Sequence, residues 1–171
     1  MKTHAIILAT ITMLVIESAG QPAEWKQPLR EIRLMRDNQT VAILTPDIQN
    51  KTAVLTMGEN QWLLKLKQNG NRCIIREFPE GKEVAYAKGL GKKKGYLVYS
   101  DTALAFTRSG KKERLYKWDN GSTLCVKSDG IVSNLPQSET GSMMAQAAVL
   151  FNLEWRKYAR ELSRNSYYII L

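Results

Sequence analysis

Two clusters of basic residues are the clearest candidates for a binding site in this chain. Both are flanked by glycine or turn residues. Ammonium groups on flexible loops bind phosphate or sulfate as point charges, with little geometric selectivity. If two alternate hairpins place the clusters at one end of the fold, they form a single anion-binding patch; the alternative is a pair of solvated loop tips. The residues are Lys92, Lys93, Lys94, Lys111, Lys112 and Arg114.

The cysteines and the histidine restrict the other chemistry. An even pair of cysteines in an exported protein usually forms a disulfide, so we predict a bond between Cys73 and Cys125. The single histidine, His4, lies in a segment with the features of a signal peptide. Removal of that segment leaves neither Ser–His and Cys–His nucleophile pairs nor imidazole metal sites. We predict a protein that is not an enzyme and that has no metal and no cofactor.

The N-terminus has the three parts of a secretory signal peptide. Lys2 gives a positive start, residues 5–16 are apolar apart from two threonines, and small residues at 18–20 fit cleavage before Gln21. The apolar run is shorter than the roughly 20 residues of a membrane span. The alternatives are an uncleaved anchor or a buried N-terminal helix. We predict a signal peptide over 1–20, one domain over 21–171, no transmembrane segment in the mature chain, and secretion.

The mature chain is strongly basic. Loss of Lys2 and Glu17 with the signal peptide leaves the net charge at +9. This charge favours anionic partners such as lipid headgroups, acidic glycans or acidic protein surfaces, although it also serves solubility. We expect no nucleic-acid binding, because the aromatic residues are not interleaved with the lysines. Three sequences in predicted turns have the form of N-glycosylation acceptors, at Asn38, Asn50 and Asn120.

Short apolar runs separated by turn residues predict ten strands between residues 31 and 127. In one run Trp62, Leu64 and Leu66 alternate with Lys65 and Lys67. This alternation is typical of a half-buried antiparallel strand. The predicted strands are 31–36, 40–45, 52–57, 61–67, 72–78, 83–88, 95–100, 102–107, 113–118 and 122–127.

The pattern changes near the C-terminus. Apolar residues at three- and four-residue spacing predict a helix over 138–163. Its first half, 143–153, carries no charge, which is typical of a helix buried on every side, whereas 154–164 is amphipathic and basic. The residues that we predict to be almost inaccessible are Met144, Ala148, Val149, Phe151 and Leu153. Residues 167–171 predict a last short strand.

This order predicts a mainly β fold, an antiparallel barrel of about ten to twelve short strands that encloses one hydrophobic helix near the C-terminus. The stretch 142–155 resembles the central helix of the tubby C-terminal-like superfamily, which includes the tubby proteins, the phospholipid scramblases and the LURP-one-related proteins. The resemblance implies a closed twelve-stranded barrel, so 131–135 and the N-terminal segment should supply further strands. In tubby domains a basic surface binds phosphoinositide headgroups, which implies an anionic lipid partner here.

The predicted function is therefore a secreted, non-enzymatic binding domain that recognises anionic lipid or another anionic surface through its basic loops. One alternative is a lipocalin-like carrier of a small apolar ligand, suggested by the size, the export signal and the final helix and strand. Another alternative is a secreted protein ligand. Many such ligands are β-trefoil cytokines, but a β-trefoil fold does not account for the long helix. An interior filled by the helix excludes a carrier, while an empty calyx allows one.

Overall fold

The computed structural model of the protein describes residues 24–26, 31–36, 39–79, 81–128, 130–135 and 140–166. The predicted signal peptide and the predicted strand 167–171 lie outside these residues. One helix, α1, spans Thr140–Ser166. The strands are β1 (Glu24–Lys26), β2 (Ile32–Arg36), β3 (Gln39–Asp47), β4 (Thr52–Met57), β5 (Asn60–Lys67), β6 (Arg72–Glu77), β7 (Glu83–Lys88), β8 (Lys94–Tyr99), β9 (Thr102–Ser109), β10 (Arg114–Trp118), β11 (Thr123–Val126) and β12 (Ile131–Asn134).

The strands from β2 to β12 form one continuous antiparallel sheet in which each strand pairs with its neighbours in the chain. The short β1 pairs with β2 through three residues and with β12 through two, so the strand order closes on itself. The turns are tight, as between β8 and β9, where Ser100 and Asp101 have φ angles of 48° and 61°. Two consecutive positive φ angles match the right-handed twist of a hairpin.

The strand pattern agrees with the alternation in the sequence. On β5, Leu64 and Leu66 are buried while Lys65 and Lys67 are exposed, as predicted, and Trp62 is half-buried. All ten predicted strands coincide with β2 to β11 to within about two residues at each end. The prediction of a mainly β, antiparallel fold with one hydrophobic helix near the C-terminus is confirmed.

The first half of α1 is buried on every face. Each residue from 144 to 152 is buried, which is more than two full helical turns. The helix contacts β3 and β4 as well as β8 and β9, which lie on opposite sides of the strand order. Ala145, Ala147 and Ala148 keep the side chains small along this segment. The interior of the sheet is therefore filled by the helix and the inward-facing side chains.

The predicted burial is correct for four residues and wrong for the fifth. Met144, Ala148, Val149 and Phe151 are at most 1% exposed. Leu153, however, is only partly buried and packs against the rim of the core. The reason is its position, because α1 reaches the end of the strands at this residue.

One polar residue inside the barrel fixes the position of the helix. The Gln146 side chain is fully buried. Its Oε1 accepts a hydrogen bond of 2.6 Å from Ser133 Oγ on β12, and its Nε2 donates one of 3.1 Å to the carbonyl oxygen of Thr123 on β11. Because a buried amide without partners is costly, this pairing favours one depth and one rotation of α1 in the barrel.

The predicted disulfide is wrong, since Cys73 and Cys125 are both free. Cys73 lies on β6 with its side chain buried in the core. Cys125 lies on β11, and its buried neighbour Leu124 occupies the inward position, so Cys125 faces outward. The two strands are five steps apart by the shorter way round the twelve-stranded ring, so at roughly 4.8 Å per step they lie nearly opposite each other, about 18 Å apart across the barrel. A disulfide requires Cα atoms within about 7 Å of each other.

Candidate anion-binding site at the helix exit

One end of the barrel is where α1 leaves it. There the Asn152 Nδ2 atom donates a hydrogen bond to the carbonyl oxygen of Gly70, in the turn between β5 and β6. Lys51, in the turn between β3 and β4, places its ammonium group 5.4 Å from the ring centre of Trp155. Because the strands alternate in direction, the β7–β8, β9–β10 and β11–β12 loops lie at the same end. We call this the helix-exit end.

The predicted lysines lie at this end. Lys92 and Lys93 are in the β7–β8 loop, where Lys94 begins β8, and Lys111 and Lys112 are in the β9–β10 loop. All five side chains are exposed. The β7–β8 loop lies against the end of β9, just before the β9–β10 loop, because the backbone N–H of Arg108 donates a 2.7 Å hydrogen bond to the carbonyl oxygen of Lys93. The structure therefore brings the two clusters to one edge, which we call the lysine rim (Lys92, Lys93, Lys94, Lys111 and Lys112).

Inside this rim lies a cleft of about 390 Å³ between α1 and the ends of the strands. Six cationic side chains and two carboxylates line it, a net charge of +4. We call it the arginine cleft. Of the six anion-binding residues predicted from the sequence, only Arg114 lines it, and the lysines of the rim do not. The charged lining residues are Arg108, Arg114, Arg156, Lys157, Arg160, Arg164, Glu154 and Glu161.

The strand pattern explains why arginines are found here. Arg108 continues the inward face of β9 one position beyond buried Phe106, and Arg114 precedes buried Tyr116 on the inward face of β10. In the sheet Arg114 pairs with Val126, the last inward position of β11. Arg108 and Arg114 lie on the inward face but beyond the end of the core. Their aliphatic parts can therefore pack against the barrel while their guanidinium groups extend toward the cleft.

The β7–β8 loop and α1 fit closely at this point. A Cβ atom on Gly91 would lie 1.9 Å from Nη2 and 2.5 Å from Cζ of Arg156. Because Gly91 has no side chain, the guanidinium group of Arg156 can pack directly against the loop backbone. Any larger residue at this position would have to displace that side chain.

Two polar atoms of this region lack a protein partner. The Oδ1 atom of Asn152 is buried and accepts no hydrogen bond, although Asn152 lines the cleft and is fully buried. The Nε atom of Arg156 is likewise buried without an acceptor. An unsatisfied acceptor and an unsatisfied donor therefore belong to two residues that line the cleft.

The ordinary groups for covalent or metal chemistry are not gathered at this site. Within the described ranges no three residues of the types His, Cys, Asp and Glu come together as a metal site. Cys73 is a poor nucleophile, because burial raises the pKa of its thiol to about 12, against a smaller opposing effect of a backbone hydrogen bond from Lys65. The net charge of +4 of its lining suits the cleft to electrostatic binding.

Sequence reasoning missed Arg108 and the arginines of α1 as members of one site. The signal for the helix residues was present, because Arg156, Arg160 and Arg164 recur every four residues along the basic half of α1. The signal for Arg108 was weaker. It occupies the last inward position of β9, which ends at Ser109, whereas the sequence predicted that this strand ends at residue 107. Only the strand register shows that these residues share one cleft.

The three predicted glycosylation acceptors differ in their surroundings. Asn50 is exposed in the turn between β3 and β4, where its Nδ2 donates a 2.7 Å hydrogen bond to Asp47. Asn120 is half-buried, and its Nδ2 donates a 2.7 Å hydrogen bond to Ser142 Oγ at the start of α1. Because an acceptor nitrogen must be reached from solvent, the greater exposure of Asn50 favours it over Asn120. Asn38 lies outside the described residues.

Searches of protein-family models, of curated proteins and of solved structures found no match to this chain. The resemblance to the tubby C-terminal-like superfamily remains an interpretation of the sequence pattern. Among the residues that the structure describes, no helix has the length and apolar character needed to cross a membrane.

Proposed function

We propose that this protein is a secreted, non-enzymatic binding domain that recognises anionic surfaces, anionic lipid bilayers among them, through its helix-exit end. The observation that carries the proposal is the convergence of three basic elements at one end of the barrel. The β7–β8 loop, the β9–β10 loop and the second half of α1 all bring cations there. A surface of one sign attracts an oppositely charged partner over about a Debye length, roughly 8–10 Å at physiological salt.

The distribution of charge supports a directed surface more than a general role in solubility. The opposite end of the barrel carries carboxylates in its hairpins, such as Glu59, Asp101 and Asp119. The molecule therefore has a basic end and an end with acidic side chains. In the field of an anionic surface such a molecule would turn its helix-exit end toward that surface.

The filled interior argues against the alternative of a small-molecule carrier. A carrier of lipocalin type needs an empty calyx, whereas the centre of this barrel is occupied by residues 144–152 of α1. Gln146 is hydrogen-bonded there to β11 and β12, so the helix is a fixed part of the core. These observations favour recognition by the outer surface.

The test is a charge reversal of the lysine rim. A variant with four substitutions lowers the net charge from +9 to +1. We expect it to lose binding to vesicles of phosphatidylserine and phosphatidylcholine in 0.1 M salt. Each basic residue near an anionic membrane contributes about 1 kcal/mol, so the loss should be about a thousandfold or more. The substitutions are Lys92→Glu, Lys93→Glu, Lys111→Glu and Lys112→Glu.

A matched variant separates position from net charge. It carries the same charge reversal on exposed residues outside the lysine rim and has the same net charge of +1. Under the proposal it keeps most of its vesicle binding and all of its fold. Equal loss in both variants, or no loss in the first, would refute recognition through the lysine rim. The control substitutions are Lys65→Glu, Arg76→Glu, Lys82→Glu and Lys117→Glu.

A further inference from the structure

The arginine cleft differs from the lysine rim in depth and in the geometry of its donors. The rim lysines are exposed point charges, whereas Arg108, Arg114 and Arg156 are half-buried. Guanidinium groups hold planar forks of donors, which match the oxygens of a phosphate or sulfate group. The volume of about 390 Å³ falls in the range of about 300–1,000 Å³ typical of small-molecule sites. A flat surface such as a bilayer would not fill this depth.

The cations of the cleft are arranged at a cost to the free protein. The six cationic side chains that line the cleft repel one another, and the two carboxylates leave a net lining charge of +4. An anion held between them would relieve this repulsion. Arg156 lines the cleft, and its buried Nε–H has no acceptor in the protein, so this donor is still unsatisfied.

Asn152 adds a requirement that a bare anion does not meet. Its side chain is fully buried, its Nδ2 is held by the carbonyl oxygen of Gly70, and its Oδ1 has no donor. Because Nδ2 is held by Gly70, the amide keeps Oδ1 as the free acceptor of a residue that lines the cleft. A ligand that satisfies both atoms carries anionic oxygens for the arginines and a hydroxyl group for Asn152.

We propose that the arginine cleft binds a sulfated or phosphorylated sugar unit, with the ester group among Arg108, Arg114 and Arg156 and a ring hydroxyl donating to Asn152 Oδ1. Leu90 and Leu153, which also line the cleft, offer apolar surface to the carbon face of the ring. This inference deepens the proposed function, because it rests on anion recognition at the same end and names the chemical class selected there. The unit is either a free sugar ester or one residue of a sulfated glycan chain.

The ligand side of the test compares three small probes by isothermal titration calorimetry at constant ionic strength. N-acetylglucosamine 6-sulfate carries both groups, inorganic sulfate lacks the hydroxyl donor, and N-acetylglucosamine lacks the anion. We expect the sugar ester to bind about fivefold more tightly than inorganic sulfate, since a hydrogen bond between the neutral hydroxyl and amide groups has about that effect. It should bind about tenfold or more tightly than N-acetylglucosamine, which lacks the anion held by the arginines. Equal affinity for sulfate and the sugar ester would overturn the role of Asn152, as would the absence of binding by all three probes.

Two substitutions test the protein side without removing the structural hydrogen bond of Asn152. Gly91→Ala would place a Cβ atom 1.9 Å from Arg156 Nη2 and so displace the guanidinium group. Arg156→Lys keeps the charge but lacks the Nε–H donor. Each should weaken binding of the sugar ester about tenfold or more. Gly130→Ala, whose Cβ would meet no atom within 4 Å, is the matched control and should change the affinity less than about twofold.

Vesicle binding and heparin binding are measured in parallel, so that the two proposals fail separately. Arg156→Lys should keep vesicle binding, while the rim reversal should remove vesicle binding and leave the sugar ester bound in the cleft. If Gly91→Ala loses heparin binding and the parent protein binds the monosaccharide ester only weakly, the natural ligand is a residue of a glycan chain. If the parent protein binds the monosaccharide ester tightly, the natural ligand is the free ester. If Gly91→Ala and Gly130→Ala bind the sugar ester equally, the cleft is not its site.

Discussion

Ala148 lies at the middle of the segment of α1 that is buried on every side, and its exposed fraction is 0%. Replacement of Ala148 by glutamate places a carboxylate where every neighbouring residue of the helix, from 144 to 152, is also buried. No turn of the helix can move it to solvent. The substitution therefore tests whether the helix is surrounded by the sheet or lies on one face of it.

Two costs add in the Ala148→Glu variant. An unpaired buried charge destabilises a protein by about 3–5 kcal/mol, and overpacking of a dense core adds about 1–3 kcal/mol. The total of about 4–8 kcal/mol is comparable with the roughly 5–15 kcal/mol by which domains are stable. With a urea m-value of about 2 kcal/mol/M, the unfolding midpoint should fall by about 2–4 M, or the protein should not fold.

The measurement is urea unfolding followed by tryptophan fluorescence, with buried Trp118 as a reporter. Leu162→Glu, on the same helix at a residue that is 50% exposed, is the control and should stay within about 0.5 kcal/mol of the parent protein. Burial raises the pKa of the introduced carboxyl group in the folded state. The charge penalty should therefore vanish below the ordinary glutamate pKa of about 4.3 and grow as the pH rises above it. If Ala148→Glu is as stable as Leu162→Glu at pH 7, the buried-helix reasoning is wrong.

Three further predictions concern thiols, the buried amide and one hairpin. A thiol reagent at pH 8 should label only Cys125 in the native protein, because burial raises the pKa of Cys73 to about 12, and it should label two thiols after unfolding without reductant. The free energy of unfolding should fall as the pH rises above 9.0, the ordinary pKa of the Cys73 thiol, because this thiol ionises first in the unfolded chain. A double-mutant cycle of Gln146→Ala and Ser133→Ala should give a coupling of about 1 kcal/mol, and strict additivity would contradict their 2.6 Å hydrogen bond. Gly110→Ala should cost about 1–3 kcal/mol in thermal unfolding, since φ is +81° and a Cβ would lie 1.8 Å from a carbonyl oxygen of its own loop; unchanged melting would contradict that geometry.

The elements with a regular pattern could be predicted from the sequence. The alternation along β5 assigns Leu64 and Leu66 to the core and Lys65 to solvent, and this is what the structure has. The uncharged segment of α1 likewise predicts burial on all sides, because a helix with one exposed face carries polar residues on it. Here the pattern and the burial have the same physical cause.

The cysteines and the cleft could not be predicted in this way. The disulfide prediction used the number of cysteines, but bonding depends on the strand and on the face, and a shift of one residue along a strand reverses the face. Cys73 faces inward and Cys125 outward, on distant strands. The cleft depends on register as well, since Arg108 joins Arg114 only through the pairing of β9 with β10. The strand β1 has three residues, too few to show any alternation.

The closure of the sheet through β1 has a consequence for the order of assembly. The ring is joined by pairs of Glu24 and Trp25 with Val132 and Ile131, more than a hundred residues apart in the chain. The helix follows these strands in sequence and yet fills the space that they surround. A folded helix enters sideways only while the seam between β1 and β12 is open. We therefore expect this seam to form last during folding and to open first under strain, which makes the shortest strand the slow step and the weak point of the barrel.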